Sequence, residues 1–328
     1  MKILVIDTSY IGDIAFLFPF FKSLKRIYDN PEITLLAKKI PSLLTEIIPY
    51  VDKTIIYEKK SSDKGILGFL KLKQKIDKYD IIFSPHRFGS STAIVRFFFN
   101  NTKSIGFNWG INKTVFSKTV PFSDEIIFEE RAGELLKPLN EQLVNEDFNI
   151  NISEDWINIF NKKFPFAKNE NYIFIIPGSQ WDTKKWLLSY YAKISKWINE
   201  QNIKVYTAGA PSEMIMLEKL KEISGNIEVL NLELLDMLGF MYNSKLSIGG
   251  DTGPMHVMRM LGKKVVILFG PTADSLFLWH ENQIPLFVKG LSCRPCHKHG
   301  PKKCPLGSLD CQFELKPEKV FETIMDIM

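Results

Sequence analysis

The feature that most constrains the fold is a regular alternation of short apolar segments with longer amphipathic ones. In the first half of the chain the apolar segments have the length and residue types of buried strands, and helical patterns separate them. The predicted strands are residues 2–7, 33–37, 53–57, 80–84 and 104–107. After the first of them, one helical face carries Ile14, Leu17, Phe18, Phe21, Leu24 and Tyr28. Such alternation predicts a mainly parallel sheet with helices on both faces.

A second series of the same kind follows residue 171. Its predicted strands are residues 172–176, 204–207, 227–230, 246–248 and 264–269. The stretch 145–171 between the two series is rich in Asn, Glu and Lys and is helical only around 153–163, which is typical of a domain boundary. We therefore predict an α/β protein with two Rossmann-like domains, residues 1–160 and 161–328. The second includes a cysteine-rich segment, 293–311, and a terminal helix.

Composition excludes several classes of protein. Hydrophobic residues make up 45% and charged residues 24% of the 328 residues, with no short repeat, so disorder and solenoid architectures are excluded. The formal net charge of +5 suits an anionic ligand or membrane surface but lacks the basic stripe of a nucleic-acid binder, so we expect no nucleic-acid partner. Asp7 and Asp13 interrupt the apolar amino terminus, and no cleavage site or membrane-spanning run follows. This predicts a cytoplasmic protein.

Residues 249–256, Gly-Gly-Asp-Thr-Gly-Pro-Met-His, join a strand pattern to a helix pattern. Asp251 or Thr252 suits the N-cap, Pro254 suits the first turn, and glycines let a ligand approach the backbone. Unpaired N–H groups and the helix dipole would attract an anion such as a diphosphate. Ordinary turn-and-cap chemistry is the alternative.

Three more loops follow predicted strands, and in parallel sheets such loops meet at one edge. Residues 177–185 combine Ser179 with lysines that suit phosphate, or form a solvated basic turn. Glu213 suits ribose hydroxyls, or caps a helix. Asp13 suits a general base, or is only a helix cap. His256 contacts phosphates or is simply packed in its helix.

Taken together, these segments resemble the ADP-heptose:lipopolysaccharide heptosyltransferase family. The resemblance rests on residues 3–13, 178–186, 250–256 and 261–272 and covers essentially the whole chain. It implies the GT-B fold, in which two Rossmann-like domains face each other across a cleft. It also implies transfer of heptose from ADP-heptose, with inversion, to a sugar of the lipopolysaccharide inner core, and no metal is required.

The resemblance assigns roles to individual residues. Asp13 matches the family's general base in the acceptor-binding domain, residues 1–160. The residues that match the donor site in domain 161–328 are Ser179, Gln180, Lys184, Glu213, Asp251, Thr252, Gly253 and His256. Among them Lys184 corresponds to the diphosphate contact and Glu213 to the ribose contact. Gln180 is a departure, because a hydroxyl residue often occupies its position.

Acceptor recognition is less apparent in the sequence. Lipopolysaccharide inner cores are acidic, and His86, Arg87 and Arg96 follow a strand of the acceptor domain, where guanidinium groups suit carboxylate or phosphate. The alternative is that they are ordinary surface residues.

All four cysteines lie in the cysteine-rich segment, as Cys293, Cys296, Cys304 and Cys311. Four thiolates suffice for a closed structural zinc site, but the spacing after the first pair is not that of a common zinc finger. The segment is equally consistent with reduced thiols that bind no metal, and it also allows disulfides.

Contact with the inner face of the inner membrane is a further expectation. Its candidate residues are Lys298, Lys302 and Lys303, together with Phe16 or Phe20 as exposed aromatics. A solvated loop is the simpler interpretation of the lysines.

For function, two further classes compete with a heptosyltransferase: a GT-B glycosyltransferase with another nucleotide sugar or acceptor, and a non-catalytic nucleotide-binding or interaction module. An oxidoreductase is disfavoured because the first loop lacks G-x-G-x-x-G.

Overall fold

The computed structural model describes residues 1–59, 61, 63–87 and 89–328. It divides into two compact units. Unit 1 comprises Met1–Ser153 with Leu276–Leu278, and unit 2 comprises Glu154–Ser275 with Trp279–Met328. Within these residues each unit holds one six-stranded sheet in which all neighbouring strands are parallel. The predicted α/β class is confirmed.

Unit 1 has the strand order β3-β2-β1-β4-β5-β6. The strands are β1 Lys2–Ile6, β2 Glu32–Ala37, β3 Lys53–Ile56, β4 Ile81–Ser84, β5 Lys103–Phe107 and β6 Lys118–Val120. The order reverses between the central strands β1 and β4, and a reversal of this kind is where open parallel sheets bind ligands at their carboxyl edge.

The helices of unit 1 cover both faces of this sheet. They are α1 Ile11–Ala15, α2 Phe18–Ile27, α3 Lys39–Ser42, α4 Gly65–Lys75, α5 Gly89–Phe98, α6 Asn112–Val115 and α7 Phe128–Arg131, with 3-10 turns at Leu43–Glu46, Ala132–Leu139 and Asn145–Phe148. The single helical face predicted from Ile14 to Tyr28 is divided between α1 and α2, because Pro19 has no N–H to continue the hydrogen bonds of α1. Phe16 and Phe20 are buried, so the expectation that they are exposed aromatics is wrong.

Unit 2 repeats this topology with the strand order β12-β11-β10-β7-β8-β9. Its strands are β7 Tyr172–Ile176, β8 Lys204–Thr207, β9 Ile227–Val229, β10 Leu246–Gly250, β11 Val265–Leu268 and β12 Gln283–Leu286. Its helices are α8 Glu154–Lys163, α9 Leu188–Glu200, α10 Met214–Ser224, α11 Leu234–Asn243, α12 Gly253–Met260, α13 Asp310–Phe313 and α14 Pro317–Ile327, with 3-10 turns at Pro165–Lys168, Asp182–Lys184 and Pro211–Glu213.

The sheet of unit 2 is packed between buried apolar layers, and the terminal helix α14 contributes Val320 and Ile324 to one of them. The reversal of strand order here lies between β10 and β7. The loops after these two strands therefore leave from neighbouring positions at the carboxyl edge. In the parts of the chain that the structure describes, no helix is long and apolar enough to span a membrane.

Candidate functional site

In unit 1, Asp13 lies in the first turn of α1, the helix that follows β1. Its Oδ2 accepts a hydrogen bond from the backbone N–H of Tyr10 at 3.1 Å, which is the capping arrangement expected of an acid at this position. The Asp13 side chain is 26% exposed to solvent. Asp13 therefore has one oxygen held by the backbone and a carboxylate that remains accessible.

Next to Asp13 lies a pair that sequence reasoning did not assemble, Asp7 and His86. Asp7 is buried at the end of β1, where its Oδ1 accepts hydrogen bonds from the backbone N–H of Ser9, at 2.8 Å, and from the Ser9 hydroxyl. Its Oδ2 lies 3.1 Å from His86 Nε2, and the same nitrogen lies 4.0 Å from Asp13 Oδ1. The signal in the sequence was Asp7 itself, a carboxylate directly after a buried strand. The structure thus brings His86 between two carboxylates.

This placement changes the acid–base chemistry of His86. Burial, the largest influence, disfavours the imidazolium, but Asp7 and then Asp13 outweigh it, so the pKa of His86 is raised above its ordinary value. Arg131 opposes the shift. His86 is therefore disposed to carry a positive charge beside Asp13.

Two arginines lie at the same edge of the sheet, stacked on aromatic rings. The Arg87 guanidinium lies 3.9 Å from the ring centre of Phe122 and 4.5 Å from that of Trp109, and Arg131 lies 5.1 Å from Phe122. Arg87 also lies 3.6 Å from Asp124. Burial, and more weakly the like charge of Arg87, lower the pKa of Arg131. Two neighbouring guanidinium groups held on rings form a site suited to an anion.

Arg96, the third acceptor candidate, lies elsewhere. It is exposed in the last turn of α5, about 10 Å along the helix axis from Gly89. Because α5 starts at the carboxyl edge, its last turn is the end remote from Asp13 and Arg87.

In unit 2 the corresponding centre is Asp251, directly after β10. Its Oδ2 accepts hydrogen bonds from Lys184 Nζ and Thr272 Oγ1, both at 2.6 Å, and its Oδ1 lies 2.7 Å from His256 Nε2. Lys184 follows β7 and Thr272 follows β11, so three adjacent strands supply this cluster. Sequence reasoning assigned no role to Thr272, although it too follows a strand at the same edge.

Charge is closely balanced in this cluster. Burial opposes ionisation of Asp251, but His256 and Lys184 outweigh it and hold the pKa of Asp251 far below its usual range. Burial lowers the pKa of His256, which favours the neutral imidazole, and Nε2 is the ring nitrogen that faces the ionised Asp251. Asp251 is thus a fixed negative charge that orients Lys184, and His256 supports it.

The glycines before Asp251 have a packing reason. A Cβ on Gly249 would lie 2.7 Å from the backbone oxygen of Ile176, and one on Gly250 would lie 2.8 Å from that of Lys184. These glycines therefore let β10 approach β7 and its loop, which differs from the sequence interpretation that they make room for a ligand. Thr252 is the N-cap of α12, but its side chain makes no capping bond, and its Oγ1 is buried without a hydrogen-bond partner among the described residues.

The remaining donor candidates lie on the neighbouring loops. Glu213 Oε2 accepts a hydrogen bond from the Ala210 N–H at 2.9 Å, so this carboxylate does cap its helical turn. Ser179 Oγ accepts a hydrogen bond from Trp181 N at 3.3 Å, and Gln180 is exposed. Gly253 is the first residue of α12. The structure thus keeps these residues at the carboxyl edge without a contact that excludes a ligand role.

The carboxy-terminal segment braces the loop that carries Lys184. Thr183 Oγ1 donates to the Pro301 carbonyl at 2.6 Å, and Gln312 Nε2 donates to the Thr183 carbonyl at 2.7 Å. Trp186 Nε1 donates to the Leu315 carbonyl at 2.9 Å. Three hydrogen bonds therefore tie Thr183 and Trp186, on either side of Lys184, to the carboxy-terminal segment.

The four cysteines are all unpaired, so no disulfide forms among them in this structure. Among the described residues, no three His, Cys, Asp or Glu side chains come together as a metal site, so zinc at Cys293, Cys296, Cys304 and Cys311 is unsupported. The backbone N–H groups of residues 306–309 lower the pKa of Cys304, whereas burial raises that of Cys311 to about 11. The thiols thus occupy dissimilar environments.

Solved structures share this fold along the whole chain. A glycosyltransferase family 9 protein from Veillonella parvula superposes with a TM-score of 0.84 at 18% identity, covering 99% of this chain and 96% of that one. E. coli heptosyltransferase WaaC, solved with ADP-2-deoxy-2-fluoro heptose, superposes with a TM-score of 0.78 at 16% identity, covering 100% of both chains. The fold is therefore that of the GT-B glycosyltransferases.

Sequence comparison makes the family specific. The model of glycosyltransferase family 9 (heptosyltransferase) matches residues 69–306, most of the chain, and the protein belongs to this family. A curated relative, lipooligosaccharide heptosyltransferase 2 of Campylobacter jejuni, is 26% identical over 99% of this chain and 98% of its own length. The family resemblance found in the sequence is confirmed, and the protein is a heptosyltransferase enzyme.

Proposed function

We propose that this enzyme transfers heptose from ADP-heptose to a sugar of the lipopolysaccharide inner core, with inversion and with Asp13 as general base. The names of the curated relatives support the acceptor class, and the ADP-fluoroheptose bound by E. coli WaaC supports the donor class. The observation that carries the proposal is the difference between two carboxylates, Asp13 accessible in unit 1 and Asp251 locked in unit 2.

In this proposal unit 2 binds the donor. The Lys184 ammonium, oriented by Asp251, lies beside the start of α12, so a diphosphate would gain both a cation and the helix amino terminus. The buried Thr252 hydroxyl offers a further hydrogen bond to it. Glu213, whose Oε2 already accepts a backbone hydrogen bond, has Oε1 for a ribose hydroxyl. Because Lys184 and the helix neutralise the leaving diphosphate, we expect transfer to persist in EDTA.

Unit 1 binds the acceptor and supplies the base. Asp13 removes the proton from an acceptor hydroxyl as its oxygen attacks the anomeric carbon of the heptose. The new glycosidic bond forms on the face opposite the diphosphate, and ADP leaves with the electrons of the broken carbon–oxygen bond. Arg87 and Arg131 grip an acidic group of the acceptor, a role that extends the sequence prediction for Arg87 to Arg131.

The test is a transfer assay with purified protein, ADP-heptose and lipopolysaccharide that lacks heptose. We expect one heptose to be added to the acceptor and one ADP to be released per transfer, with EDTA present. Calorimetric titration should show tighter binding of ADP than of UDP. Equal affinity for the two nucleotides, or transfer from a different nucleotide sugar, would support another GT-B activity instead. Binding of ADP-heptose without transfer to this acceptor would overturn the proposed acceptor.

A further inference from the structure

Helices α4 and α5 of unit 1 expose four large apolar side chains. Ile66 is 80% exposed, Leu67 75%, Leu70 54% and Phe97 70%. We call these four residues the α4–α5 patch. Single exposed apolar residues are ordinary, but a contiguous group is a mark of an interaction surface.

The two helices that carry the patch are in contact through aromatic side chains. Phe69 of α4 contacts Phe97 edge to face at 5.7 Å and stacks on Phe98 at 4.6 Å. Three of the four exposed residues lie within the first six positions of α4. Phe97 of α5 therefore lies beside the amino-terminal half of α4.

The orientation of α4 is fixed by its opposite side. Leu72 is buried in the core of unit 1, and Gly68 is so close to the preceding loop that a Cβ there would lie 2.1 Å from the Asp63 backbone. Lys75 Nζ lies 3.7 Å from Asp63 Oδ1, a second tie to the same loop. Because rotation of α4 would break this packing, the apolar side chains cannot turn inward to escape water.

The charges around the patch have one sign. Lys71 and Lys73 are exposed on α4 directly after Leu70, Lys64 precedes the helix, and Arg96 is exposed next to Phe97. Neither α4 nor α5 contains an acidic residue. A helix with apolar side chains and lysines on its outer side is the pattern of helices that lie in the interface of an anionic membrane.

We infer that the α4–α5 patch is the site at which this enzyme binds anionic phospholipid bilayers. The apolar side chains enter the boundary between headgroups and acyl chains, and the surrounding cations contact lipid phosphates. Binding through one short helix and a few cations is reversible and weakens with salt. This inference goes beyond the proposed function and does not depend on it, since it concerns a surface remote from Asp251 in the chain and needs no sugar donor.

The test is flotation of the full-length protein with vesicles of phosphatidylethanolamine, with or without phosphatidylglycerol. We expect binding only to the vesicles with phosphatidylglycerol, and loss of binding as NaCl is raised. Leu67→Ser should weaken binding about tenfold, because it removes one large apolar side chain from the lipid interface. Lys71→Gln with Lys73→Gln should weaken binding and flatten its salt dependence.

The matched control is Ile215→Ser, which removes the 88% exposed apolar side chain of α10 in unit 2 and should leave vesicle binding unchanged. Circular dichroism of each variant checks folding. Equal binding of wild type and Leu67→Ser, or equal binding to both kinds of vesicle, would overturn the inference. So would a dimer in analytical ultracentrifugation that Leu67→Ser dissociates, because the patch would then bind a second copy of the chain. ADP release with a detergent-free acceptor fragment is measured separately, so failure of transfer and failure of membrane binding are distinguishable.

Discussion

The carboxyl edges of the two sheets hold carboxylates in opposite circumstances. Asp251 in unit 2 keeps 7% of its side-chain exposure, and Lys184, Thr272 and His256 all contact its oxygens. Asp13 in unit 1 keeps 26%, with one oxygen bound to a backbone N–H and the other 4.0 Å from His86. The same strand order thus supports a locked charge in one unit and an accessible one in the other.

This difference decides which carboxylate suits proton transfer. A general base must accept a proton in the reaction, and the pKa of Asp251 is held too far below its usual range for that. Asp251 instead orients the Lys184 ammonium through a hydrogen-bonded ion pair. The proposed function therefore assigns the base to Asp13 in unit 1 and the preorganised cation to Lys184 in unit 2, and the following predictions test that division.

The largest effect is expected for Asp13→Asn. Removal of a general base should lower kcat by about 10²–10⁴-fold. The affinity for ADP, measured by calorimetry, should stay at the wild-type value because the proposed donor site lies in unit 2. Asp326→Asn, at an exposed carboxylate of α14, is the control and should leave kcat unchanged. Turnover at the wild-type rate in Asp13→Asn would remove this residue from the role of base.

Asp251→Asn should act mainly on stability. The Lys184 side chain is only 11% exposed and would lose its counter-charge, and breaking a buried pair costs up to about 3–5 kcal/mol in the free energy of unfolding. Denaturant unfolding measures this loss, and weaker ADP binding should accompany it. The exposed pair Lys193–Glu318 provides the comparison, since solvent screens it and Glu318→Gln should cost far less than Asp251→Asn. Similar losses in the two variants would mean that Asp251 is not the centre of a buried network.

The sequence predicted the central parts of both sheets because their strands are long enough and apolar enough to be distinctive. It also predicted the edge strands β3 and β9, but it missed the other edge strand of each sheet, β6 and β12, for a physical reason. β6, Lys118–Val120, has three residues, and β12, Gln283–Leu286, contains Gln283 and Pro285, which an edge strand tolerates but a buried central strand does not. The hydrophobic pattern of a sequence reveals strands that are buried on both faces, and β6 and β12 are only partly buried.

The candidate site was predictable in its location but not in its contacts. The position of Lys184, Asp251 and His256 after strands was enough to place them at one edge. That Asp251 binds the other two, and that Gly249 and Gly250 serve strand packing, depends on the approach of β10 to β7, which no local pattern contains. The contacts of Asp7 and His86 likewise depend on the neighbouring positions of β1 and β4.

Thr272→Val tests the smallest member of the locked cluster. The change keeps the volume of the side chain but removes the hydroxyl that donates to Asp251, and one hydrogen bond to a charged group contributes about 1.5–3 kcal/mol. Denaturant unfolding should show this loss, and ADP affinity should fall less than in Asp251→Asn. Thr114→Val, which removes an exposed hydroxyl bonded to its own helical turn, is the control. A loss no larger than that of Thr114→Val would show that Thr272 does not support Asp251.

His86→Gln tests the accessible cluster through its pH dependence. The groups that face His86 are Asp7, Asp13 and, opposing them, Arg131, and their sum raises its pKa in the folded protein. A raised pKa means that the folded state binds the proton more tightly than the unfolded chain does. The resulting stabilisation is fully present below about pH 6.5, the ordinary histidine value, and is lost as the pH rises through the raised pKa.

We therefore expect the wild type to be more thermally stable than His86→Gln, and this difference in stability to be larger at acidic pH than at alkaline pH. We also expect the rate of transfer by the variant to fall less at alkaline pH than the rate of the wild type does. Thermal unfolding followed across this range measures the first, and kcat against pH measures the second. His280→Gln, at an exposed histidine of unit 2, is the matched control. If the stability difference between wild type and His86→Gln instead grew with pH, Asp7 and Asp13 would not stabilise the imidazolium form of His86. The proposed contrast between the fixed charge of Asp251 in unit 2 and a titrating group beside Asp13 in unit 1 would then be wrong.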